Sequence, residues 1–136
     1  MKLQIAQKIL SGALAAARAH SFKPLAVAVL DARGALKVLA AEDGTSLKRS
    51  EIAIGKAHGA LAMGLGSRTL FTRSQQQPQF IAAVTHAVGG LLIPVPGGVL
   101  INDGTGALLI AGTTEGTLPG QKNFGGADAF IARIAP

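Results

Sequence analysis

No cysteine occurs among the 136 residues, which removes disulfides, thiolate metal sites and cysteine nucleophiles together. Tryptophan and tyrosine are absent too. The five phenylalanines do not interleave with basic residues, so the aromatic platform of a single-strand nucleic-acid binder is missing. Charged residues make up only 15% of the chain against 49% hydrophobic ones, a balance that argues against a disordered chain. No apolar run approaches the roughly 20 residues of a membrane-spanning helix, and no membrane partner is expected. A surface so poor in charge leaves apolar area that a small monomer rarely exposes. Assembly into a homo-oligomer, a dimer or higher, is expected.

The charge that is present is mostly positive, with a formal net charge of +6. Lys2, Lys8, Arg18, Lys23, Arg33 and Lys37 are scattered, and Lys48-Arg49 is the adjacent pair. Such spacing describes a basic surface that favours small anions, and no nucleic-acid partner is expected. At the N-terminus, Lys2, the apolar stretch from Ile9 to Ala17 and Ala17-Arg18-Ala19 imitate a secretory signal. Gln4, Gln7 and Lys8 interrupt that segment, while Leu3, Ala6, Leu10, Ala13, Leu14 and Ala17 recur at helical spacing. The expectation is a domain helix and a cytoplasmic protein.

With no repeats, low-complexity segments or linker, residues 1–136 are expected to form one domain. A first helix is expected over residues 3–20. PLAVAVL and ALKVLA, joined by Asp31-Ala32-Arg33-Gly34, read as a β-hairpin. Thr45 or Ser46 can cap a second helix that runs to about residue 65 and stops at Gly64-Leu65-Gly66. Pro78 suits the first turn of a third helix carrying Phe80, Ile81 and Val84, closed by Gly89-Gly90. LLIPVPGGVLINDGTGALLIAG, residues 91–112, then reads as two or three strands. A last helix is expected in NFGGADAFIARIAP, with Phe130, Ile131 and Ile134 on its apolar side. The order predicts an α/β chain of the α+β kind, with a mainly antiparallel sheet of about five strands flanked by helices.

The glycine-rich stretch raises the question of a phosphate cradle. Such a cradle needs successive N–H groups where a strand enters a helix. Here PGG and NDGTG are each followed by another apolar run, so their glycines are expected mainly to turn the chain. GLGSRT and GTLPGQK lack the full dinucleotide and P-loop patterns. Gly66-Ser67 lacks the surroundings of a serine nucleophile.

Among His20, His58 and His86, no pair has the spacing of four that aligns two metal ligands on one helix face. His20 and His86 are expected near helix C-termini, where a cation suits the dipole. His58 stands two turns after Glu51 on the second helix, with Ile54 and Leu61 beside it. The ordinary reading of such a histidine is a partly exposed side chain bonded to a neighbour. The functional one is an axial haem ligand or a proton carrier.

Val29-Leu30-Asp31-Ala32-Arg33-Gly34-Ala35-Leu36 resembles the first hairpin of the GlcG/HbpS-like family, the haem-degrading domain family, which includes the C-terminal domain of PduO-type proteins. Asp43-Gly44, Ser50-Glu51-Ile52-Ala53 and Lys56-Ala57 are similar to its following loop and helix. Pro94-Val95-Pro96-Gly97-Gly98-Val99-Leu100-Ile101, Gly106 and Ile110-Ala111-Gly112 are similar to its proline-glycine-glycine hairpin. The resemblance spans roughly residues 3–115. It implies a profilin- or sensor-like sandwich, oligomeric assembly and a link to haem binding or degradation. Other members are associated with small-molecule catabolism. The family's acidic continuation after the last strand is largely missing in residues 112–123, where Lys122 appears instead. No haem-ligating residue of the family maps onto a matching motif here.

Two readings follow. In the first, the chain is a small-ligand-binding domain for haem or a related tetrapyrrole, with His58 on the iron and Lys48, Arg49 or Lys56 on the propionates. In the second, it is an enzyme or accessory subunit of small-molecule catabolism acting on an organic acid. There Lys56 or Arg33 would hold the carboxylate while Glu51 or His58, the candidate catalytic residues, would move a proton.

Overall fold

The computed structural model describes residues 1–102 and 107–112, residue 102 and the last six by their backbone. The chain begins with α1 (Leu3–Ala19), whose buried Ala6, Ile9, Ala13 and Ala17 form the stripe expected of a domain helix. Ser21 then adopts a left-handed backbone, and the Phe22 N–H reaches back to the Ala17 carbonyl to close the helix. β1 (Ala26–Leu30) and β2 (Leu36–Ala41) form the expected hairpin. α2 (Arg49–Met63) follows, and Gly64 in the left-handed region ends it as expected. Its N-cap is Lys48, without a side-chain cap bond, rather than Thr45 or Ser46. The Arg49 N–H instead reaches the Ser46 backbone carbonyl.

α3 (Ser67–Gln76) was not expected. α4 (Pro78–Ala87) starts on its proline as expected, with Ile81 as its buried anchor. β3 (Gly98–Asn102) and β4 (Ala107–Gly112) complete a four-stranded sheet in the order β2-β1-β4-β3, with every pairing antiparallel.

β1 is central and buried along its whole length, and its alternating side chains serve two cores. Val27 and Val29 meet α1 on one face, with Phe22 and Leu25. Ala26, Ala28 and Leu30 meet Ala53, Ala57 and Ala60 of α2 on the other. The alanines on both sides let α2 approach the sheet closely. The layers are therefore helix, sheet, helix.

The described residues contain four strands rather than about five. The missing one is the LLIPV run, which forms no strand: Pro94 and Pro96 cannot donate to a ladder. This run crosses the outer side of α2 instead. The expected turn at residues 103–106, the loop after residue 112 and the last helix lie outside the described residues. No helix among the described residues is long and apolar enough to cross a membrane.

Candidate ligand site

The crossing over α2 is made by two helical glycines one turn apart. A Cβ on Gly55 would lie 2.8 Å from Ile93 Cδ1, and one on Gly59 would lie 2.9 Å from Leu92 Cγ. With neither present, residues 92 and 93 lie directly on the helix, and the Ile93 N–H donates to the Gly55 carbonyl at 3.2 Å. Further along, a Cβ on Gly98 would run into the Lys56 carbonyl. The second glycine of the PGG motif is therefore there for close approach to α2 rather than for a turn. Gly97, at φ 139, is the one that needs glycine's freedom.

Lys56 is 2% exposed, and its Nζ donates to the Pro96 carbonyl at 2.9 Å. Its ammonium tethers the crossing segment from inside. Ser67, fully buried at the start of α3, does the same from the other side. Its hydroxyl donates to the Val95 carbonyl at 2.8 Å and accepts the Gly98 N–H at 2.6 Å. Reading Gly66-Ser67 only as a failed nucleophile motif missed this role. A serine following a helix-stopping glycine was the available signal.

His58 lies where the crossing segment begins. Its Nδ1 is 3.0 Å from the Leu91 carbonyl oxygen. A carbonyl only accepts, so Nδ1 carries the proton, and in the neutral ring Nε2 keeps its lone pair. That edge of the ring lies beside Gly34 at the tip of the β1–β2 hairpin. A Cβ there would stand 3.2 Å from Cδ2 and 3.5 Å from Nε2, with Leu61 Cδ2 at 3.7 Å. Gly34 has φ +80, so the turn requires glycine, and the same lack of a side chain lets the hairpin tip lie against the ring edge.

Asp31 holds the tip in place. Although 6% exposed, it accepts the Arg33 N–H at 2.9 Å and the Ala35 N–H at 3.1 Å. The Arg33 N–H bond is the largest cause that holds its carboxyl below the usual range, with the Ala35 N–H and the Arg33 guanidinium adding to it against some desolvation.

The other candidates separate around α2. Glu51 and Lys48 form an exposed pair at 2.6 Å, and the Lys48 bond lowers the Glu51 carboxyl from its ordinary value. Glu51 is on the same side of the helix as His58, but about 10 Å along the axis. Among the described residues Glu51 bonds Lys48 and His58 bonds Leu91, so the carboxylate expected behind the imidazole is replaced by a backbone carbonyl. Arg49 and Lys56 fall on the opposite side of the helix from His58, by its repeat of about 100° per residue. Among the described residues no group of three or more His, Cys, Asp or Glu side chains could hold a metal ion.

An open hollow of about 460 Å³, lined by Arg18, Pro24, Ala41, Glu42 and Asp43, lies at the other end of β1. Its polar groups bond each other: Glu42 accepts from Arg18 and, at 2.9 Å, from the Leu25 N–H.

Solved structures share the fold, the following three among them. Streptomyces reticuli HbpS, in a double mutant with two glutamates changed to aspartate, is 23% identical with a TM-score of 0.68, covering 82% of this chain and 73% of its own. A PduOC–haem complex is 23% identical with a TM-score of 0.69, covering 82% and 80%. Klebsiella pneumoniae protein ORFY is 17% identical with a TM-score of 0.71, covering 82% and 77%. No curated protein matches at a significant level. A family model described as haem degrading protein HbpS-like matches residues 1–121. With the hairpin, the small-residue helix and the proline-glycine-glycine crossing all in place along that span, the chain belongs to the HbpS-like family.

Proposed function

We propose that this chain is an oligomeric small-ligand-binding domain whose ligand is haem or a related tetrapyrrole, with His58 as the iron contact. The observation that carries the reading is the Nδ1–H bond to the Leu91 carbonyl. Such a bond orients the ring, fixes the tautomer and leaves Nε2 as the donor atom, the usual arrangement behind a ligating histidine. Gly34 adds no side chain beside that atom, while Leu61 and the half-exposed Leu91 supply apolar wall. Bound haem would supply a redox-active iron. The chain's own part is to orient the imidazole and meet the carboxylates. Lys48, exposed at the start of α2, is paired with Glu51 nearly three turns before His58. Arg49 lies on the far side of the helix, and Lys56 acts as the internal tether. Family membership and the haem complex of a neighbour with the same fold support the ligand class.

The organic-acid enzyme reading has less support. Glu51 is exposed, paired and ionised at neutral pH, which leaves it little affinity for a substrate proton. The test is a haemin titration of the purified chain followed by absorbance, with His58→Ala alongside. A saturable, stoichiometric Soret shift that the variant loses is expected. A shift that survives in the variant rejects His58, and uptake without saturation rejects a built site.

A further inference from the structure

Arg33 stands at the hairpin tip one residue before Gly34, the residue whose missing Cβ lets the tip lie against the His58 ring edge. Its side chain is 84% exposed, and one guanidinium nitrogen lies 3.3 Å from Asp31 Oδ2. The tip that carries it is rigid. The Asp31 N–H donates to the Ala35 carbonyl at 2.8 Å and the Gly34 N–H to the Asp31 carbonyl at 2.9 Å, in addition to the two N–H bonds that the carboxylate accepts. The arginine end of the Asp31–Arg33 pair is exposed and only one of its nitrogens is engaged, so the guanidinium can be shared with a second anion. Of the five N–H donors in the guanidinium fork, the described geometry directs one nitrogen to Asp31, leaving others for a planar carboxylate. The helical cations are placed differently. Lys56 is inside, and Lys48 stands ten residues before His58, about 15 Å along the axis.

We propose that Arg33 is the specificity-determining residue of the His58 site, the cation that selects ligands bearing a carboxylate. The inference rests on the His58 reading and deepens it. The hairpin brings the anionic recognition and α2 brings the coordinating nitrogen, so the site lies between two elements whose side chains do different work. Arg33 is not interchangeable with lysine here, because only a guanidinium fork can bond Asp31 with one nitrogen and still offer a second N–H edge to a planar carboxylate.

The test compares haemin with haemin dimethyl ester, in which both carboxylates are blocked, on the full chain and on Arg33→Leu in one detergent buffer. The native chain is expected to prefer haemin over the diester by about tenfold, the scale of one charge-assisted pair. In Arg33→Leu that preference is expected to vanish, through loss of haemin affinity alone, while the His58-dependent Soret band persists. A preference of native size in Arg33→Leu, with the Soret band intact, overturns the role of Arg33 and leaves His58 standing. Haemin uptake by the native chain that never saturates overturns both.

Discussion

Asp31 shows how one side chain sets a local geometry and a pH dependence together. Its folded carboxyl titrates below the ordinary carboxylate value of about 3.9, because it accepts the Arg33 and Ala35 N–H groups when ionised. A lowered folded value means that the stabilisation is fully present above the unfolded value and is lost as pH falls from there through the folded one. Asp31→Asn is therefore expected to be less stable than the native chain at pH 7. The difference should shrink towards zero as urea unfolding is repeated at acidic pH below the ordinary carboxylate range. A gap that stays constant on acidification assigns the aspartate a purely steric role. At this scale part of the candidate site was legible. His58 stood out as a histidine beside apolar helix positions, and Asp31 as a turn residue. The partner of His58 did not, since a backbone carbonyl 33 residues away leaves no trace in residue types. Lys56 was expected to meet a ligand carboxylate; the bond from its buried ammonium to the Pro96 carbonyl, 40 residues on, likewise leaves no trace in residue types.

Elements with a periodic apolar face, such as α1, were legible, as were those marked by turn residues, such as the hairpin and the start of α4. α3 was not, because SRTLFTRSQQ anchors itself through Leu70 and Ser67 and shows no apolar stripe. LLIPV looked like a strand because apolar runs do. Its true partner is the pair of glycines on α2, a contact between segments more than 30 residues apart in the chain. Three substitutions along this contact are expected to rank in order. Gly98→Ala forces a methyl against the Lys56 backbone carbonyl, which cannot yield, and should destabilise by about 2–3 kcal/mol. Gly59→Ala meets the Leu92 Cα at 3.1 Å and should cost less, because alanine returns about 1 kcal/mol of helix propensity. Gly55→Ala meets side-chain atoms of Ile93, led by its terminal Cδ1, and should be the mildest. Chemical unfolding midpoints check the order, and a Gly98→Ala protein of native stability would remove the close-approach account.

For the whole molecule, apolar exposure is the main physical signal. Leu47 is 89% exposed, and Leu3, Ile5, Leu36, Phe80 and Leu91 each expose more than two fifths of their area. Sedimentation equilibrium is expected to give a mass of at least two chains, falling on dilution if the contact is weak; one chain's mass at all concentrations refutes the assembly. The sheet order has a different consequence, in time rather than space. β1 is paired early by β2, its neighbour in sequence, but its other edge waits for β4, about 80 residues later. Loop closure over that separation makes the β1–β4 pairing the slow, high-contact-order event of folding. During synthesis β1, which the fold buries along its whole length, carries an open edge until the ribosome has delivered residues 107–112, so the nascent chain is most prone to aggregation in the interval when α1, the hairpin and α2 already exist.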